Sequence, residues 1–156
     1  RFIYADSGLN EFNQCRRRAI FPQLLKEYGV EAENWRSISD FSVLSHEIMR
    51  PRLMEAISEL KNGRPVIICS ADGLARTICT DLLEKGFRIP EDIGISGFGG
   101  MLYATYRKPE LTTLKVDCIG MGSLAVRLLL AEVAGSLREP FQSHLLPVNL
   151  IFGETI

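Results

Sequence analysis

Three short stretches hold most of the residues in this 156-residue chain that could do chemistry. The first runs from Asp6 to Asn13 and leads into a helix bearing Arg17. The second is Ser70-Ala71-Asp72. The third is Gly97 to Gly100, with Gly99 at its centre. Each follows an apolar, strand-like run. An arginine in such a place offers a planar fork of donors to a polyol or a carboxylate. Asp72 either accepts hydroxyl hydrogen bonds or caps the helix it precedes. Phe41, in the loop Asp40-Phe41-Ser42, either stacks on a sugar face or joins the core. All of this is recognition chemistry.

Other chemistries are poorly supported. Gly120-Met-Gly-Ser-Leu-Ala125 matches a dinucleotide fingerprint, but Asp117-Cys118-Ile119 separate it from a short strand. No acid ends a second strand about 20 residues on, where such a site needs one. The alternative is a helix N-terminus of small packed residues. No helix directly follows Gly94 to Gly100, so a phosphate cradle there would lack its dipole. His46 and His144 are the only histidines, and no serine carries a nucleophile-elbow pattern. No enzyme activity and no cofactor are expected. Cys15, Cys69, Cys79 and Cys118 lack zinc spacing and read as buried, reduced thiols. The run Arg16-Arg17-Arg18 reads as a solvated basic turn.

Composition sets the frame. The apolar fraction is 46%, the charged fraction 24% and the net charge -1, ordinary values for one globular domain. No charge excess argues for nucleic acid or a membrane surface as a direct partner. No apolar run approaches the ~18 residues of a membrane span. The chain opens at Arg1 without an initiator Met and reads as a piece of a longer protein.

The elements that must position these residues alternate. Strands are expected at Phe2 to Ala5, Pro65 to Cys69, Ile93 to Ser96, Leu114 to Asp117 and Leu145 to Phe152, with a short edge strand before Ser39. Helices are expected at Cys15 to Tyr28, around Ile48 to Leu60, at Gly73 to Lys85 and at Gly120 to Ala134. Gly29, Gly86 and Gly135 serve as stops, and Pro51 falls near a first turn. Alternation of this kind predicts an α/β fold, a Rossmann-like parallel sheet flanked by helices. In such a sheet the carboxyl ends of the strands share one edge, and ligands bind there.

Several segments together resemble the LacI/GalR family of transcription regulators. They are Arg17-x-x-Ile20-Phe21-x-x-Leu24-Leu25 with Gly29, then Asp40-Phe41-Ser42, then Pro65-Val-Ile-Ile-Cys-Ser-Ala-Asp72-x-x-Ala75. Leu83-x-x-Gly86-Phe-Arg-Ile-Pro-Glu-Asp92, Gly97-Phe98, Pro109-x-Leu-Thr-Thr-Leu114 and Leu145-Leu-Pro147-Val-x-Leu150 follow in order. The resemblance implies a periplasmic-binding-protein-like fold of type I, with two subdomains holding a small-molecule effector between them. Residues 1–156 would be the C-terminal part of that effector domain. Most of the first subdomain and a helix-turn-helix DNA-binding domain would lie upstream. The chain would return to the first subdomain at Thr112-Thr113, and the helix from Gly120 would pack there.

By position, the resemblance assigns effector contacts to Arg17, Phe41, Asp72 and Asn13. Gly99 stands where the family carries an acid that binds effector hydroxyls, and Ala71 stands for a usual asparagine. That loss favours an anionic effector or a domain without effector response. The implied protein is a cytoplasmic, homodimeric repressor sensing a sugar or sugar-like metabolite. It reaches DNA through its other domain and does not engage a membrane. The alternatives are a sugar-transport solute-binding protein and a nucleotide-binding enzyme.

Overall fold

A computed structural model describes residues 1–8, 12–39, 46–60, 63–101, 107–136 and 143–156. Phe2–Ala5 forms β1 and Phe12–Glu27 forms α1. A 3-10 turn at Ala32–Asn34 leads into β2 (Trp35–Ile38). Then come α2 (His46–Glu59), β3 (Val66–Cys69), α3 (Asp72–Glu84), β4 (Gly94–Gly99), β5 (Thr112–Val116), α4 (Cys118–Val133) and β6 (Val148–Ile151). The strands form one six-stranded sheet in the order β2-β1-β3-β4-β5-β6. All pairs are parallel except β5 with β6. The predicted α/β class holds.

The order contains one switch point, between β1 and β3. From β1 the chain moves outward to β2; from β3 it moves the other way, to β4 and β5. Right-handed crossovers therefore place α1 on one face and α2 with α3 on the other. Side chains alternate along each strand, so the two faces carry different residues. Ile3, Ala5, Ile38, Ile67, Cys69 and Ile95 form one buried cluster with Leu53, Ala56 and Leu60 of α2 and Ala75, Ile78, Cys79 and Leu82 of α3. Fully burying an Ile or Leu side chain contributes about 1.5–3 kcal/mol, so this face dominates the stability. On the other face Tyr4 lies against Phe21 of α1 with ring centroids 5.0 Å apart, and Trp35 meets Phe21 edge-on at 5.9 Å.

The glycine stops fall where the pattern places them. Gly29 and Gly86 take left-handed φ values of 71° and 84°. The amides that follow them, Val30 and Phe87, donate five residues back to Leu25 and Leu82. That pairing satisfies carbonyls that the helix ends would otherwise leave open.

Several boundaries differ from expectation. The segment Gly97 to Gly100 is not a loop from its start, because β4 runs through to Gly99. Register with β5, from Ser96 opposite Thr112 to Gly99 opposite Lys115, keeps Gly97 and Gly99 in the strand despite their poor strand propensity. Asn13 lies in the first turn of α1 rather than in the preceding loop. After β6, Thr155 turns back into the core. Its hydroxyl donates to Ile95 O (2.7 Å) and accepts from Thr112 N–H (2.9 Å). Cys69 and Cys79 are buried, and burial raises both thiol pKa values, so both stay protonated and inert. Cys118 is exposed, against expectation.

No residue of α4 is buried, although the helix is strongly apolar. Ile119 is 85% exposed, Val133 79% and Leu129 62%, and all four residues of β6 are exposed. No described helix is long and apolar enough to cross a membrane.

Candidate functional site

The switch point puts the ends of β1 and β3 side by side, with α1 rising from the β1 loop. This is where an open α/β sheet forms its crevice. The described residues of the three stretches read as recognition elements all lie along this edge.

Asp6 directly follows β1 and is fully buried. Its carboxylate takes a two-pronged grip from Arg18, with Nε to Oδ2 and Nη2 to Oδ1 both at 2.7 Å. Gly8 N–H adds a third bond to Oδ1 at 2.7 Å. This hydrogen-bonded partnership raises the Arg18 pKa further. Arg18 is thus the clamp that fixes the start of α1 over the β1 loop. The reading of Arg16-Arg17-Arg18 as a solvated turn fails at this residue. The pair lies 12 positions apart in sequence, at a spacing that no local pattern encodes.

Arg17 sits one residue earlier and points elsewhere. Its guanidinium carbon stands 4.2 Å from the centroid of the Phe98 ring on β4. A cation over an aromatic face is attracted by the ring quadrupole. Its Nε donates to Asn13 O at 3.3 Å, one turn back along α1. Its Nη1 is buried and has no hydrogen-bond partner among the described residues. Two neighbouring buried polar atoms share that condition: the Tyr4 hydroxyl and the Ser70 hydroxyl. Tyr4, Ile68 and Ser96 are register partners. Alternation then puts Phe98 on the same face, so these groups gather on the α1 side of the sheet. Burial, with Asp6 nearby, raises the Tyr4 pKa and keeps its hydroxyl a neutral donor. Buried polar groups in native proteins nearly always find a partner, so a cluster of open ones marks a place of recognition.

Asp72 does not cap α3. It is the first residue of α3, behind Ala71, and is fully buried. Thr113 Oγ1 donates to its Oδ1 at 2.5 Å, and Met101 N–H donates to its Oδ2 at 2.6 Å. The carboxylate thus bolts the start of α3 to the exit of β4 and to β5. Gly97 makes room for it: a Cβ there would lie 2.2 Å from Asp72 Oδ1. Asp72 therefore packs on the α3 side of β4, opposite Phe98 and Arg17. Gly99, at φ 128°, has backbone that side chains rarely adopt, and a Cβ there would lie 3.5 Å from Asp72 Oδ2. Asn13 contributes its backbone carbonyl to Arg17, and its side chain is exposed. Phe41 lies outside the described residues.

The fingerprint at Gly120 is no nucleotide cradle. Helix α4 already begins at Cys118, and the Asp117 side chain accepts from Gly120 N–H at 2.9 Å. A carboxylate occupies one of the amides that a phosphate would need. A separate cavity of about 300 Å³ lies between β2 and α2, lined by residues including Arg36, Arg52, Glu55 and Glu59. There Arg36 is already paired with Glu59.

Comparison with known proteins agrees with this geometry. The periplasmic binding protein-like domain family matches residues 2–156. The NTD biosynthesis operon regulator NtdR of Bacillus subtilis is 26% identical over 142 residues, 91% of this chain and 42% of its own. The HTH-type transcriptional repressor PurR of Klebsiella pneumoniae is 30% identical over 128 residues, 81% of this chain and 36% of its own. The chain thus spans less than half the length of these curated relatives, which are regulators rather than enzymes. Among solved structures, a LacI family transcriptional regulator from Enterococcus faecium with bound ribose superposes with a TM-score of 0.80 at 22% identity, covering 99% of this chain and 55% of that one. The chain belongs to the periplasmic binding protein-like domain family, and it resembles the C-terminal part of the effector domain of LacI-family regulators.

Proposed function

We propose that this chain is the C-terminal part of the effector-sensing domain of a cytoplasmic LacI/GalR-type transcription regulator, a repressor. A sugar or sugar-like metabolite binds at the carboxyl edge of the sheet, between this part and an upstream subdomain. Arg17 is the principal contact, with Phe98 holding it in place. Phe41 supplies a stacking face and Asn13 a polar contact from the α1 side. Asp72 holds the end of β4 in place from the opposite face, and Gly99 leaves that end without a side chain. The observation that carries the reading is Arg17 itself: stacked on Phe98, one nitrogen buried and unsatisfied, at the switch point of a sheet in this family.

The exposed apolar side chains of α4 support the placement of an upstream subdomain. Ile119, Val126, Leu129, Leu130 and Val133 are costly to leave in water and suit a second packed layer. The protein acts as a homodimer and reaches DNA through a separate upstream domain. The effector alters DNA affinity only through its different affinities for the two domain conformations. The test is operator binding by the full-length protein, with and without metabolites that raise its melting temperature. A protein whose DNA affinity no stabilising metabolite changes would not be a sensor of this kind.

A further inference from the structure

We infer that the molecule recognised at this edge carries an anionic group, a carboxylate or a phosphate, that pairs with Arg17. The inference rests on the effector-site reading above and names the chemistry of the ligand. Its basis is a charge imbalance among the described residues. Asp6, Asp72 and Asp117 follow β1, β3 and β5 within three residues, and each is committed inside the chain. Asp6 holds Arg18 and Gly8 N–H. Asp72 is closed by Thr113 and Met101 on the far face of β4. Asp117 caps α4 through Gly120 N–H.

The cations are not balanced in the same way. Arg17 meets an aromatic ring and one carbonyl of its own helix, with no carboxylate among the described residues. Lys115, exposed at the end of β5, has no ion pair among them either; its Cα lies 2.8 Å from where a Cβ on Gly100 would stand. A guanidinium offers only donors. The orphaned Tyr4 and Ser70 hydroxyls can donate as well. A neutral polyol is held best by carboxylates that accept its hydroxyl protons, and the three carboxylates described at this edge are already committed. A carboxylate or phosphate brings acceptors alone and fits the guanidinium fork with two parallel bonds. Position 99 cannot readily supply the missing acid. At its φ of 128° a side chain is strained, and its Cβ would stand 3.5 Å from the Asp72 carboxylate.

The test uses the full-length protein at constant ionic strength. Melting temperatures are compared in chloride and in inorganic phosphate, for wild type, Arg17→Met and Arg17→Lys. Calorimetry then compares two matched pairs: D-glucuronate with D-glucose, and D-ribose 5-phosphate with D-ribose. Inorganic phosphate is expected to raise the wild-type melting temperature. The rise disappears in Arg17→Met and survives, reduced, in Arg17→Lys. The acidic member of at least one pair binds about tenfold to about a hundredfold tighter than its neutral partner, as a charge-assisted pair requires. Which pair responds separates a carboxylate from a phosphate ligand. The inference is overturned if phosphate leaves the wild type unchanged, if Arg17→Met shows the same rise, or if the neutral sugars bind as tightly as the acids. Neutral-sugar binding that needs Arg17 would remove the anion and leave the effector site standing. Should Arg17→Met fail to fold, the wild-type pairs and Arg17→Lys decide.

Discussion

Substituting Gly97 with alanine tests whether Asp72 is the bolt described above. The added Cβ would stand 2.2 Å from Asp72 Oδ1, 2.9 Å from Leu111 Cδ2 and 3.1 Å from Asp72 Cα. Asp72 Oδ1 is held by Thr113, Leu111 is fully buried and Asp72 Cα is backbone, so the methyl must push α3 or the carboxylate aside. Overpacking of this kind costs about 1–3 kcal/mol. Displacing the carboxylate also weakens its bonds to Thr113 and Met101, each worth about 1.5–3 kcal/mol when made to a charge. Partial relaxation will recover some of this, so a net loss of about 3–5 kcal/mol is expected, a large share of a stability of about 5–15 kcal/mol. Trp35, the single tryptophan, packs against Phe21 and reports unfolding by fluorescence in urea. The decisive comparison is Gly97→Ala in an Asp72→Ala background. With the carboxylate gone the methyl has room, so the two penalties should fall well short of adding. A Gly97→Ala protein within about 0.5 kcal/mol of wild type, or strictly additive penalties, would refute the reasoning.

Other expectations follow from the same geometry. Arg18→Ala strands the buried Asp6 carboxylate with one backbone donor. The loss should be about 2–3 kcal/mol in urea unfolding, below the full buried-pair cost because Arg18 keeps 29% exposure. Gly122→Ala meets nothing within 4 Å inside α4 and should stabilise by about 0.5–1 kcal/mol, a control for Gly97 in the same assay. Hydrogen bonds from the Arg88 side chain and backbone lower the Asp92 pKa from 3.8 to about 2. A depressed folded value means that this pair stabilises fully above the ordinary carboxylate range. The contribution is lost as pH falls from about 4 towards 2. A carboxyl NMR titration should place the Asp92 midpoint near 2 in the wild type, and Arg88→Ala should return it towards its ordinary value.

The layered fold was legible because it rests on local patterns. The apolar runs at Phe2 and Val66 became β1 and β3, and Gly29 and Gly86 stopped α1 and α3. Much of the site rests on pairs that are distant in sequence. Asp72 meets Thr113 across 41 positions and Met101 across 29, and no spacing rule links them. The glycines of β4 read as a loop by composition, yet pairing with β5 keeps Gly97 and Gly99 in the strand. Arg17 stands out in the sequence as a donor fork after a strand-end loop and again by its place in a family pattern. Phe98 stands out in the sequence only within that pattern, and its contact with Arg17 depends on how far β4 reaches beneath α1. A basic triplet gives no sign that two of its three members face different partners. That division appears only once Asp6 and Phe98 are brought to the same edge.

The measurement that tests the central claim most directly is operator binding by the full-length protein, followed by fluorescence anisotropy. A metabolite selected by its stabilisation of the wild type is titrated into wild type and Arg17→Ala. The account predicts equal operator affinity for both proteins without the metabolite. It predicts a ligand-dependent change in affinity for the wild type and none for Arg17→Ala. An Arg17→Ala protein that responds to the same metabolite as the wild type does would contradict the assignment of the site.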